Sequence, residues 1–178
     1  AAGFALKLER RGRDGTVFSA VAGRSLADDQ FVTDATGRHA QGIADRLVLT
    51  FAQDEMRGLG PAQISALGDL GRLGFRFALT GVADLDMDFE ALELLGFHFV
   101  KLDAAVFLRG LTCAGEGVPA ADICRYFDDL GLEVIVSGID DANLRQRVEG
   151  CGVTFGQGLL FGEPRPIPVG ASAGSMAA

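Results

Sequence analysis

The chain alternates between two hydrophobic periods. Four times, a segment with apolar residues at helical spacing ends on a small residue or leucine plus glycine, and an apolar run follows at once. The copies are LGFRFALT (73–80), LGFHFVKLD (95–103), LGLEVIVSG (130–138) and CGVTFGQGLLFG (151–162). Glycine directly after a helix suits a left-handed backbone position where a Cβ would be strained. The runs that follow have the length and composition of buried strands. Between them, PAQISALGDLGRL places Ile64, Leu67, Leu70 and Leu73 on one helical face, with Pro61 in the first turn. DFEALELL has Asp88 as N-cap, PAADICRYFDDL starts at Pro119 and carries Ile123, Phe127 and Leu130, and DDANLRQRVEGC opens on an aspartate pair before Leu144 and Val148. Upstream, TVFSAV (16–21) and RLVLTFA (46–52) read as strands. AAGFALKLERRGRDG reads as the end of a helix, and the last stretch, EPRPIPVGASAGSMAA, as a loose tail.

Strands alternating with helices mean parallel pairing through helical crossovers, an α/β class. An open doubly wound sheet and a (β/α) barrel both satisfy this order. Each strand carries its polar residue late: Thr50, Thr80, Lys101 with Asp103, Ser137, Gln157. In a barrel these ends converge on one mouth, where the sites of such folds lie. In an open sheet they spread along an edge. The bland alternative is that they mark where each strand surfaces.

Composition narrows the function classes. The 178 residues suffice for one domain, expected over 1–168 with a flexible tail at 169–178, and 48% hydrophobic content marks a globular chain. A net charge of −8 argues against binding nucleic-acid polymers or anionic membranes through bulk charge. Three cysteines without a C-x-x-C fit a reduced, cytoplasmic chain, and two histidines without a ligand cluster give no zinc signal. No apolar run is long enough to span a membrane. Neither G-x-G-x-x-G nor a P-loop is present, so no dinucleotide or Walker-type phosphate site is indicated.

At this point several blocks resemble, in order and spacing, the EAL domain of cyclic-di-GMP phosphodiesterases. LVLTFAQ is similar to the family's L-V-L-E-I-T-E, and FRFALTGVADL takes the place of R-I-A-L-D-D-F-G-T-G. FVKLDAAVF resembles Y-L-K-I-D-R-S-F, LEVIVSGIDDANL resembles L-R-V-V-A-E-G-V-E-T-x-x-Q-L, and FGQGLLFGEPRP is close to V-Q-G-Y-L-F-G-x-P. SLADDQF resembles the segment after the family's V-N-L-S strand. The resemblance runs from about residue 5 to residue 167. It implies a TIM-like barrel, incomplete at its N-terminus here, because the E-A-L segment with its strand and helix is absent.

Active members of that family hold two divalent cations in a shell of carboxylates and an asparagine. By resemblance, the asparagine position is Ala20, the first strand glutamate is Thr50, the D-D pair is Thr80 and Gly81, and the glutamate before the glycine is Ser137. The second glutamate of that motif is shortened to Asp140, while Lys101, Asp103 and Gln157 match. Hydroxyls cannot replace the paired carboxylates that hard cations require, so we expect no metal, no cofactor and no phosphodiesterase activity. RGLGPAQISALGDLGRLGFRFAL and DLDMDFEALELLGFHFVKL read most like the degenerate TipF-type flagellar-regulator subgroup, which is membrane-anchored and acts as a cyclic-di-GMP receptor. The expectation is a non-catalytic cyclic-di-GMP receptor or signalling module in motility or polar assembly, cytoplasmic, with a protein partner, and with any inner-membrane tether lying in other segments. The alternative is a nucleotide-free protein-interaction scaffold.

Local readings stand beside these. Lys101 and Asp103 could form a plain ion pair at a barrel mouth. Gln157, between Gly156 and Gly158, invites close approach by a ligand or a neighbouring strand. Asp140 and Asp141 most simply cap the next helix. His98 alternates away from Lys101 and should pack under the helices. Asp84, Asp86 and Asp88 read as an acidic loop rather than a calcium loop. Arg24, Arg57, Arg76, Arg109 and Arg165 are scattered.

Overall fold

The computed structural model describes residues 16–37 and 44–163. The readings of 1–15 and of the tail, and Arg165, lie outside these residues.

Among the described residues, the apolar runs form six parallel strands: β1 (Val17–Ala20), β2 (Leu47–Ala52), β3 (Arg76–Thr80), β4 (Phe97–Asp103), β7 (Glu133–Ser137) and β8 (Phe155–Gln157), hydrogen-bonded in that spatial order. The helices of the same described residues are α1 (Asp29–Thr36), α2 (Gln53–Arg57), α3 (Pro61–Arg72), α4 (Phe89–Leu94), α5 (Ala104–Arg109), α6 (Ala120–Asp129) and α7 (Ala142–Glu149), the last joining β7 to β8. The glycines that end the four repeated helical segments, Gly74, Gly96, Gly131 and Gly152, all have positive φ, as the pattern requires.

The sheet is curled. Phe18 on β1 and Phe99 on β4 are three strand spacings apart, about 14 Å in a flat sheet. Their rings nevertheless meet edge-on at 5.4 Å between centroids. Such curvature, with helices on the convex side, makes an incomplete α/β barrel of the TIM type. The open-sheet alternative is thereby excluded.

The core fills the convex side. Phe51, Phe77 and Phe97 meet edge-on or tilted at 5.3 to 6.2 Å between centroids and are fully buried in one core with Leu67 and Leu70 of α3. Further along, Leu102 and Val136 face Phe107 of α5 and Ile123 and Phe127 of α6 in the same core. Burying each such ring or branched side chain contributes about 1.5–3 kcal/mol.

Two features depart from the sequence reading. LTCAGEGV forms an antiparallel hairpin, β5 (Leu111–Cys113) with β6 (Glu116–Val118), turning through Ala114 and Gly115, both at positive φ. Its alternation is too short and too polar to register as strands. The strand in FVKLDAAVF ends at Asp103, as the unit LGFHFVKLD (95–103) implied, and the chain continues as α5. His98 is exposed rather than packed. The β3–β4 register slips by one between Phe77 and Ala78, so His98 is the extra residue of a bulge, and its Nδ1 pairs with the Gly96 carbonyl at 2.8 Å.

Candidate functional site

Because all six strands are parallel, their carboxyl ends share one edge, and the register places the predicted residues along it. Ala20 pairs with Thr50, Ala52 with Thr80, Asp103 with Ser137, and Ser137 with Gln157. Residues paired across parallel strands face the same side, and alternation adds Lys101 to the set. Ala20, Thr50, Thr80, Lys101, Asp103, Ser137 and Gln157 therefore lie on one face, the concave one. Gly81 follows Thr80 in a left-handed turn at φ 65°.

Among the described residues this face carries two cations, Arg76 at the amino end of β3 and, nearer the mouth, Lys101. Lys101 is half-buried, and its Nζ donates to Gln157 Oε1 at 2.6 Å, reaching across β7. From it a cavity of about 640 Å³ runs toward the amino ends of the strands, bounded by Phe18, Arg76, Phe99, Ile135, Phe155 and Gln157, with one carboxylate, Glu133, in its wall. Arg76 lies over the Phe99 ring, 5.8 Å from its centroid. Phe18 and Phe155 are 44% and 48% exposed, so much apolar surface faces this space. The cavity is thus apolar with a few convergent polar groups, the ordinary character of a small-molecule site.

Asp103 does not pair with Lys101. One carboxylate oxygen accepts from the Ala105 and Val106 amides at 2.9 and 3.4 Å, capping α5. The ion-pair reading is replaced by a cap: once the chain turns helical after Asp103, its own amides are the nearest donors. Ser137 donates to the Leu102 carbonyl at 3.2 Å.

The aspartate pair divides its work. Asp141 caps α7 through the Leu144 amide at 2.8 Å. Asp140 instead accepts from the Leu159 amide at 3.0 Å, tying the β7–α7 loop to the turn after β8. Gly158 is needed because a Cβ there would overlap the Ile139 backbone, whose N–H donates to the Gln157 carbonyl at 3.0 Å. Close approach at this glycine is thus to neighbouring chain.

The acidic loop is structural. Asp84 is ion-paired with Arg57, and that guanidinium beside it holds its carboxyl below the usual range against a smaller opposing effect of burial. Asp86 accepts from the Ala114 amide at 2.6 Å, docking the hairpin, and Asp88 caps α4 at 2.9 Å. Sequence reasoning missed Gln53, a fully buried polar side chain. It donates to the Asp84 carbonyl at 2.8 Å and accepts from the Ala83 amide at 2.9 Å, fixing the loop after β3 to the start of α2. Its place as the last residue of LVLTFAQ was the available signal. Among the described residues, no three His, Cys, Asp or Glu side chains gather closely enough to hold a metal ion. No described helix is long and apolar enough to cross a membrane.

A profile of the EAL domain family matches residues 4–164. The chain belongs to the EAL domain family. A relative named cyclic di-GMP phosphodiesterase PdeB, from Shewanella oneidensis, is 25% identical over 122 residues. That match covers 66% of this chain and 13% of the relative. Among solved structures, the Xanthomonas citri FimX EAL domain in complex with c-diGMP superposes with a TM-score of 0.71 at 18% identity, over 93% of this chain and 68% of that one. The PaMucR phosphodiesterase c-di-GMP complex gives 0.73 at 18%, covering 93% and 74%. The EAL enzyme Bd1971 in its cAMP-bound form gives 0.67 at 20%, covering 92% of this chain and 45% of that one. At these identities the structural likeness establishes the shared barrel.

Proposed function

We propose that this EAL domain is a cyclic-di-GMP receptor that does not hydrolyse its ligand. The observation that carries the reading is the concave face itself. It presents Lys101 and Gln157 beside a large, partly apolar cavity, while the neighbouring strand ends offer Thr50, Thr80 and Ser137. A lysine can meet a phosphate as a point charge, and the aromatic walls suit a nucleobase. The FimX EAL domain and the PaMucR phosphodiesterase, which share this fold, were each solved in complex with cyclic-di-GMP.

The metal pair of active family members does not fit these residues. Two hard divalent cations need several carboxylate oxygens held together. The strand ends supply neutral hydroxyls, a methyl at Ala20 and no side chain at Gly81. Asp103 and Asp140 each already accept backbone amides. With no activated water, Lys101 can bind a phosphate but does not generate a nucleophile. The setting we propose, motility or polar assembly through a protein partner, rests on the likeness to the TipF-type subgroup.

The test is incubation with cyclic-di-GMP and Mg²⁺ or Mn²⁺, followed by chromatography for the linear dinucleotide. None should form under conditions where binding is measurable; turnover would refute the non-catalytic reading.

A further inference from the structure

The second opening near this edge lies outside the barrel, between α5 and α7. It is a groove of about 460 Å³, lined by Leu108 and Arg109 of α5, Leu144 and Arg147 of α7, and Ala104, with Asp103 at one end. Its two arginines differ from most of the described ones in having no partner among the described residues; Arg24 also has none, but it does not line the groove. Arg57, Arg72, Arg125 and Arg145 are each ion-paired, with Asp84, Asp69, Asp122 and Glu149. Arg109 and Arg147 are exposed, and neither side chain makes an ion pair or hydrogen bond to any described residue. Each sits in the last turn of its helix, where a cation complements the helix dipole. That accounts for each arginine separately. It does not account for two unpaired guanidiniums opening on one groove in a chain of charge −8.

We propose that this groove docks an acidic, amphipathic peptide segment of a protein partner. Carboxylates of the segment pair with Arg109 and Arg147, whose planar forks match carboxylates bidentately. An apolar side chain of the segment rests on Leu108 and Leu144. The apolar floor between the cations favours a peptide over a free inorganic anion. A second copy of the chain is disfavoured, because a two-fold contact through this groove sets its arginines against themselves. The site is independent of nucleotide binding and goes beyond the receptor reading.

The test is selection of a random twelve-residue peptide library on the full chain, then fluorescence anisotropy with the selected, labelled peptides. Selected peptides should place Asp or Glu three or four residues from Leu, Ile or Phe. The R109E/R147E double variant should bind them at least ~10-fold more weakly, while Arg125→Glu, remote from the groove, leaves affinity unchanged. Circular dichroism melting checks the fold; if the glutamate variant unfolds, R109Q/R147Q is read instead, with weakening again expected. Failure to enrich any peptide, enrichment without acidic bias, or affinity indifferent to both double variants overturns the proposal. So does a homodimer, seen by light scattering, that the same substitutions dissolve.

Discussion

Lys101 Nζ and Gln157 Oε1 meet at 2.6 Å over the top of β7, although the two residues lie 56 positions apart in the chain. Asp103, only two residues from Lys101 on the same face, takes no part in this contact and turns to the amides of α5. The face therefore holds a neutral acceptor on its lysine where a carboxylate would cancel the charge. A phosphate entering the cavity can displace or share that amide without breaking an ion pair.

Lys101→Ala should weaken cyclic-di-GMP binding most. A hydrogen bond involving a charged group is worth about 1.5–3 kcal/mol, so the loss is on the order of 10-fold to 100-fold in Kd. Gln157→Ala removes a neutral partner and should cost less, by several-fold. Isothermal titration of both variants gives the comparison; unchanged affinity in both would show that the ligand lies elsewhere.

Asp103→Ala should act on stability rather than on binding. Loss of the α5 cap costs about 0.5–2 kcal/mol, whereas Asp103→Asn keeps a capping oxygen and should cost a fraction of that. Urea unfolding separates the two. Equal destabilisation by both substitutions would contradict the cap.

The helix–glycine–strand repeats made the fold legible in the sequence, because each glycine marked a chain reversal and each run after it was apolar enough to be a strand. The late polar residues Thr50, Thr80, Ser137 and Gln157 were likewise legible as one edge. What was hidden depended on position in space. Asp103 is the last residue of β4, and its role as a cap shows only once α5 is seen to begin beside it. His98 obeys the alternation until the bulge displaces it. Asp140 sits beside a helix start, yet its partner, the Leu159 amide, comes from a segment beyond the next helix. The Arg109–Arg147 groove joins helices separated by a hairpin, a helix and a strand, which no local pattern connects.

Acid sensitivity should localise in part to Asp84. Its carboxyl, lowered from 3.8 chiefly by the hydrogen bond from Arg57, contributes stability that is present above the unfolded-state value and lost as pH falls through the folded one. Asp84→Asn should therefore be less stable than the parent at neutral pH, with the gap closing as pH falls below the ordinary carboxylate range. Thermal melts across that range test this; a gap independent of pH would contradict it. The effect is modest, since the side chain is 24% exposed.

The thiols should react in order of access. Cys113 is exposed in the hairpin, whereas burial pushes the Cys124 thiol up to about 11, with smaller contributions from Cys151 and Asp128. A thiol so raised is almost wholly protonated near neutral pH and a poor nucleophile. Iodoacetamide labelling at pH 8, read by peptide mass spectrometry, should modify Cys113 well before Cys124. Early labelling of Cys124 would contradict its packing.

The central claim is that this EAL domain holds cyclic-di-GMP on its concave face through Lys101 and Gln157 and needs no metal to do so. Calorimetric titration of the full chain with cyclic-di-GMP, with EDTA and then with Mg²⁺ or Ca²⁺, tests it most directly. Saturable heat of similar affinity in both conditions, lost in Lys101→Ala, is the predicted result. No heat at high micromolar ligand, or binding that appears only with the divalent cation, would contradict it.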